Sequence, residues 1–125
     1  YIRQATRSYD FGFEDGSFTI EGYFRFNSLT GTITLVDNRL DVSDTSAGYL
    51  IVSNSGNTVS WMRNGTAVSE TTSAGLVVDT WYHISVSKDS ETSTTKLFID
   101  GAEVSSDADN NNYGILRQRI LDSLI

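Results

Sequence analysis

The stretch Gly16-Ser17-Phe18-Thr19-Ile20-Glu21-Gly22-Tyr23-Phe24-Arg25-Phe26 decides the fold class. Successive side chains of an extended chain point to opposite faces. Phe18, Ile20, Gly22, Phe24 and Phe26 therefore share one face, and Thr19, Glu21, Tyr23 and Arg25 share the other. The first face is the wall of a core, so residues 17–26 are predicted to form a half-buried strand.

The same alternation recurs on both sides of short Gly, Asn, Asp and Ser clusters, predicting further strands at residues 32–37, 48–54, 57–63, 66–69, 80–88, 95–100 and 102–105. Eight short strands imply an all-β chain folded as a two-sheet antiparallel sandwich. Asn64-Gly65 and Asp100-Gly101 sit between strand-like runs, and both pairs tolerate the positive φ of a type I′ hairpin turn. Asn64-Gly65-Thr66 also has the form of a glycosylation acceptor, but the turn already accounts for it. Polar clusters at residues 41–46, 89–94 and 105–112 are expected to be exposed loops. Residues 115–125 change character: Leu116, Ile120 and Leu124 recur every fourth position, the spacing of either a short amphipathic helix or a tail of little structure.

A chain of 125 residues has the size of one domain and can bury a core without staples. With no cysteine, disulfides, thiol nucleophiles and Cys-based zinc sites are ruled out. No apolar run approaches the roughly 18 residues of a membrane span, so no membrane insertion is expected. Sixteen acidic residues against nine basic ones give a formal charge of −7, which repels a phosphate backbone and excludes nucleic acid as an expected partner. The sequence opens at Tyr1 without methionine and reads as a fragment, a processed product or a trimmed chain.

Five segments taken in order resemble the concanavalin A-like superfamily, in particular its laminin-G-like jelly rolls. Residues 16–24 are similar to a strand of the form FTIEGW, with Tyr23 where the family usually has tryptophan. Leu35-Val36-Asp37-Asn38-Arg39 resembles LFDNR, and Gly48-Tyr49-Leu50 resembles GYLL. Thr80-Trp81-Tyr82-His83-Ile84 resembles TWYHIA, and Lys96-Leu97-Phe98-Ile99-Asp100-Gly101 resembles KLYVDG. The resemblance implies a concanavalin A-like jelly-roll sandwich over residues 1–114, followed by 115–125 as tail or short helix. It weakens at both ends, where the family's first and last strands have no clear counterpart. Sheet edges left open there would need cover from a neighbouring chain.

Some relatives of this superfold are glucanases, whose retaining mechanism needs two carboxylates about 5 Å apart on one strand face. The Glu-x-Asp-x-x-Glu and Glu-x-Asp-x-Glu patterns do not occur: Glu21 stands alone in its strand, and Glu14-Asp15 falls in a turn. A Ser-His-Asp arrangement would need His83, the single histidine, which in the resembling family belongs to the framework. The expectation is a non-enzyme that binds glycans or neighbouring protein subunits: a carbohydrate-binding or adhesive module, or else a structural virion component such as a capsid-decoration or tail-fibre protein. Either role places it outside cells, on a cell surface or on a virion, with an oligomer or larger assembly expected.

Saccharide binding in this superfold depends on aromatic rings assisted by loop Asn and Asp. Tyr113, after the run Asp109-Asn110-Asn111-Asn112, is the candidate exposed stacking residue, with Asn111, Asn112, Trp61 and Tyr49 as further candidates. Burial is the competing expectation for Trp61, and Trp81 is expected in the core. Calcium is the one metal implied by the resemblance, with oxygen ligands drawn from Asp37, Asp41 and Asp44, or from Asp107, Asp109 and Asn110. Solvated loop carboxylates are the competing reading.

Overall fold

The computed structural model describes residues 16–39 and 41–113. They form eight strands: β1 (Phe18–Arg25), β2 (Ile33–Asp37), β3 (Gly48–Ser53), β4 (Thr58–Arg63), β5 (Thr66–Thr71), β6 (Trp81–Asp89), β7 (Thr94–Ile99) and β8 (Ala102–Ala108). Each falls where the alternation predicts one. They build two four-stranded sheets, in the orders β1-β6-β7-β8 and β2-β3-β4-β5, and every pairing is antiparallel. The chain crosses from one sheet to the other after β1 and again after β5.

The core lies between the sheets. Phe18, Ile84, Val86 and Leu97 face it from one side, and Leu35, Leu50, Val52, Val59 and Trp61 face it from the other. Gly48 is glycine because the indole of Trp61 lies over it: a β-carbon there would fall 2.0 Å from Trp61 Cζ2. Both predicted hairpin turns form. Asn64 and Gly65 have φ of 52° and 71°, and Asp100 and Gly101 have 51° and 80°, the positive φ at both central residues that a type I′ turn requires. Asp100 also accepts a hydrogen bond from the His83 backbone N–H at 2.9 Å, which ties the β7–β8 turn to β6.

One expected loop begins as a strand, and only its residues 109–112 lie outside regular structure. Within residues 105–112, Ser105, Ser106 and Asp107 continue β8, pairing with Leu97, Lys96 and Thr95 across a bulge. They are polar because β8 is the last strand in its sheet and abuts β5. Ser69 Oγ and Ser105 Oγ are 2.7 Å apart, and both hydroxyls donate to Asp107 Oδ2, at 2.7 and 2.9 Å. The seam between the sheets on this side is hydrogen-bonded instead of apolar. The expectations for residues 115–125 and for the missing first and last strands lie outside the described residues.

Candidate functional site

Strand parity assigns the outward residues of the β1-β6-β7-β8 sheet. Paired residues of antiparallel strands share a face, so Thr19 stands beside Ser87, Glu21 beside Ser85, Tyr23 beside His83 and Arg25 beside Trp81. β7 adds Phe98 beside Ser85 and Lys96 beside Ser87. Exposure on this face is uneven. Tyr23 is 74% exposed and Trp81 65%, although large aromatics usually bury most of their surface. Val77 and Val78, just before β6, are exposed as well. Of the exposed large hydrophobic residues described, only Val42 lies elsewhere in the sequence.

Tyr23 and Trp81 occupy diagonal positions across the β1/β6 pair, a separation of about 7–8 Å. The Tyr23 ring leans on His83, with centroids 5.0 Å apart and planes inclined at 58°. His83 Nε2 lies 3.9 Å from Glu21 Oε1, beyond hydrogen-bond reach, so that carboxylate does not orient the imidazole as a catalytic dyad would require. Arg25 forms an ion pair with Asp79 at 3.0 Å. Asp79 N–H donates to the Phe26 carbonyl at 2.8 Å, and Tyr82 Oη accepts from Val77 N–H at 2.9 Å. The loop carrying Val77 and Val78 is thereby fastened to the same end of the sheet. The result is an aromatic platform with a polar and charged border, suited to stacking against the apolar face of a ligand while hydroxyls or amides meet its rim.

The candidates named from sequence are not brought together here. Tyr113, expected to be exposed, is fully buried. Its ring packs between Phe18 and Trp61, with centroids at 5.5 and 5.7 Å. Its hydroxyl donates to Asp109 Oδ2 at 2.7 Å and accepts from Trp61 Nε1 at 3.1 Å. Trp61 is equally buried. Asn111 donates to Asp109 Oδ1 through its backbone N–H and its side-chain amide; its carbonyl accepts from Lys88 Nζ. The Asn112 carbonyl accepts from Arg63 at 3.4 Å. These residues form an internal polar brace between the sheets, and neither Tyr113 nor Trp61 presents a face to solvent. Tyr49 points outward from the other sheet, where the Arg39 guanidinium covers its ring at 3.7 Å.

Nor do the calcium candidates converge: among the described residues, no three His, Cys, Asp or Glu side chains gather around one point. Asp37 is engaged by Arg39 through Nε and a terminal nitrogen, at 2.9 and 2.8 Å, and this hydrogen bonding raises the Arg39 pKa above its ordinary value despite partial burial. Asp41 caps Ser43, and Asp44 accepts from Ser46 and Ala47. Asp107 belongs to the seam with β5. Asp109 accepts from Thr95 at 2.6 Å as well as from Tyr113 and Asn111. Burial alone would raise its pKa, but the hydrogen bonds from Thr95, Tyr113 and Asn111 outweigh it and hold the carboxylate below its usual range. Burial and the bond to Asp109 push the Tyr113 phenol upward.

Trp81, expected in the core from its motif, is the largest departure. Ile84 and Val86 face inward, so odd positions of β6 must face outward. That parity is readable from the sequence and would have identified Trp81 together with Tyr23. A family model described as the concanavalin A-like lectin/glucanases superfamily matches residues 3–118. No curated protein matches the chain, and no solved structure matches it.

Proposed function

Because the chain belongs to the concanavalin A-like lectin/glucanases superfamily, we propose that it is a non-catalytic carbohydrate-binding or adhesive module whose ligand face is the outward side of β1 and β6. The observation that carries this reading is the exposure of Tyr23 and Trp81 at diagonal positions on one sheet face. Exposed rings on a rigid sheet need no reorganisation to receive a sugar, and the apolar C–H face of a pyranose is the natural complement of an aromatic plane. Absence of the paired-carboxylate motif and the 3.9 Å gap between His83 and Glu21 support binding without turnover.

Retention on an array of immobilised neutral and charged glycans tests this reading. The intact chain should be retained by at least one glycan class. Trp81→Ala and Tyr23→Ala should each weaken that retention about tenfold or more, a loss of about 1.4 kcal/mol, with Tm unchanged because both side chains are exposed. No retention, or retention unaffected by both substitutions, overturns the assignment.

Val77 and Val78, exposed in the segment that leads into Trp81, favour a second reading, since aliphatic surface is better matched to a protein neighbour. In that case the sandwich is a scaffold component of a surface or virion assembly. Light scattering separates the two: a monomer that binds glycan supports the first, and an oligomer that Trp81→Ala dissolves, with no glycan bound, supports the second.

A further inference from the structure

Along the outer face of β6 the side chains shrink from Trp81 and His83 to Ser85 and Ser87, while their neighbours remain large: Glu21 and Tyr23 on β1, Phe98 and Lys96 on β7. Ser85 is 6% exposed although it points away from the core, because those neighbours stand above it. β6 thus forms the floor of a shallow trough. Hydroxyls continue the floor and its β1 side: Thr19 Oγ1 and Ser87 Oγ lie 3.0 Å apart, as do Ser17 Oγ and Ser90 Oγ. From residue 17 to the aromatic end at residue 25 the trough spans about 27 Å at the usual strand rise.

Charge limits what can lie in it. Among the described residues, the two cations that flank the trough are already engaged, Arg25 by Asp79 at 3.0 Å and Lys96 by Glu103 at 3.3 Å. Arg39, Arg63 and Lys88 are held elsewhere, by Asp37 and by the Asn112 and Asn111 carbonyls. Glu21 stands on the trough wall itself. Among the described residues, a sulfated or carboxylated chain would meet no uncommitted cation and would face the Glu21 carboxylate, whereas an uncharged chain would meet hydroxyls that both donate and accept.

We propose that this trough is an extended subsite for an uncharged, linear oligosaccharide lying along β6, with one sugar stacked at Tyr23 and Trp81 and the following units hydrogen-bonded over Ser87 and Thr19. The inference rests on the saccharide-binding reading above and specifies the ligand's length, charge and direction.

Calorimetric titration of the chain tests it, with cello-, malto- and chito-oligosaccharides as di- and hexasaccharides and a heparin-derived hexasaccharide as the anionic probe. A neutral hexasaccharide should bind about tenfold or more tighter than its disaccharide, with affinity unchanged between about 0.05 M and about 0.5 M salt. Ser87→Tyr should bring the hexasaccharide down to the disaccharide's affinity and leave the disaccharide unaffected; Thr19→Tyr, on an exposed position of the other strand, should do the same and serves if Ser87→Tyr does not fold. Equal affinity for both lengths, indifference to both tyrosine variants, or preference for the heparin fragment overturns the trough. Any of these three leaves the stacking site at Tyr23 and Trp81 standing. Failure of every oligosaccharide also overturns the trough, and the array then decides separately whether the stacking site survives.

Discussion

Replacing Tyr113 by alanine should destabilise the fold by about 3–5 kcal/mol, the range for deleting a buried aromatic side chain, and lower Tm by roughly 10 °C or more. The loss is large because Tyr113 does two jobs. Its ring fills the space between Phe18 of one sheet and Trp61 of the other, and its hydroxyl links Trp61 Nε1 to Asp109. Truncation opens a cavity and removes a donor from a carboxylate that is only 2% exposed. Tyr113→Phe separates the two contributions: the ring stays and only the bonds go, so the expected cost falls to about 1–3 kcal/mol.

The same brace makes stability depend on pH. Asp109 titrates lower in the folded chain than in the unfolded one, so it contributes stability above the ordinary aspartate value of about 3.9 and loses it as the pH falls through the lowered folded value. Denaturant unfolding monitored by circular dichroism from neutral pH down to below pH 4 measures both effects, and Asp109→Asn should flatten the acid limb. A Tyr113→Ala variant within about 0.5 kcal/mol of the parent, the range of an ordinary surface change, would contradict a buried Tyr113.

The second large effect is at Gly48. An added β-carbon would lie 2.0, 2.4 and 2.7 Å from three atoms of the Trp61 indole, and the indole is fully buried and packed against Phe18 and Tyr113, which restricts its movement. Gly48→Ala should therefore cost about 1–3 kcal/mol by overpacking, and Gly48→Val more. A smaller partner relieves the clash: the double variant Gly48→Ala/Trp61→Phe should be more stable than the sum of its single variants predicts. Additive losses in that cycle would show that Gly48 and Trp61 do not press on each other.

Most of the fold is legible locally. The alternation from Phe18 to Phe26 gives β1 its core face, and Asn64-Gly65 and Asp100-Gly101 fix two hairpins through a backbone conformation that few residues adopt. The polar run from Asp109 to Asn112 is not legible in that way. Its composition is that of a surface loop, yet Asp109 is buried because its carboxylate accepts from Thr95, Tyr113 and Asn111, the Asn111 carbonyl accepts from Lys88, and Trp61, fifty-two positions away from Tyr113, bonds its hydroxyl. No window of neighbouring residues contains that information. β8 extends beyond its expected end for a similar reason, since Ser105 and Asp107 are paid for by Ser69 on a different sheet.

Half of the proposed ligand face is within reach of the sequence. Tyr23 falls on the outward side of β1 by simple alternation, and Trp81 follows from the parity of Ile84 and Val86, which outweighs the resemblance of its motif to a core strand. What the sequence cannot supply is the pairing of Tyr23 with His83 and of Arg25 with Trp81, the β1–β6 register that sets the two rings on one platform. The expectation of an exposed aromatic ring at Tyr113 is corrected by burial: Tyr113 braces the core, and Tyr23 is the tyrosine that meets solvent.

The two tryptophans make the platform directly observable, because Trp81 is exposed while Trp61 is buried. Fluorescence titration of the chain with a glycan it retains should shift Trp81 emission to shorter wavelength as a sugar replaces water over the indole, and the shift should vanish in Trp81→Phe. An unchanged spectrum at saturating glycan, or a shift that persists in Trp81→Phe, would contradict a ligand face on β1 and β6.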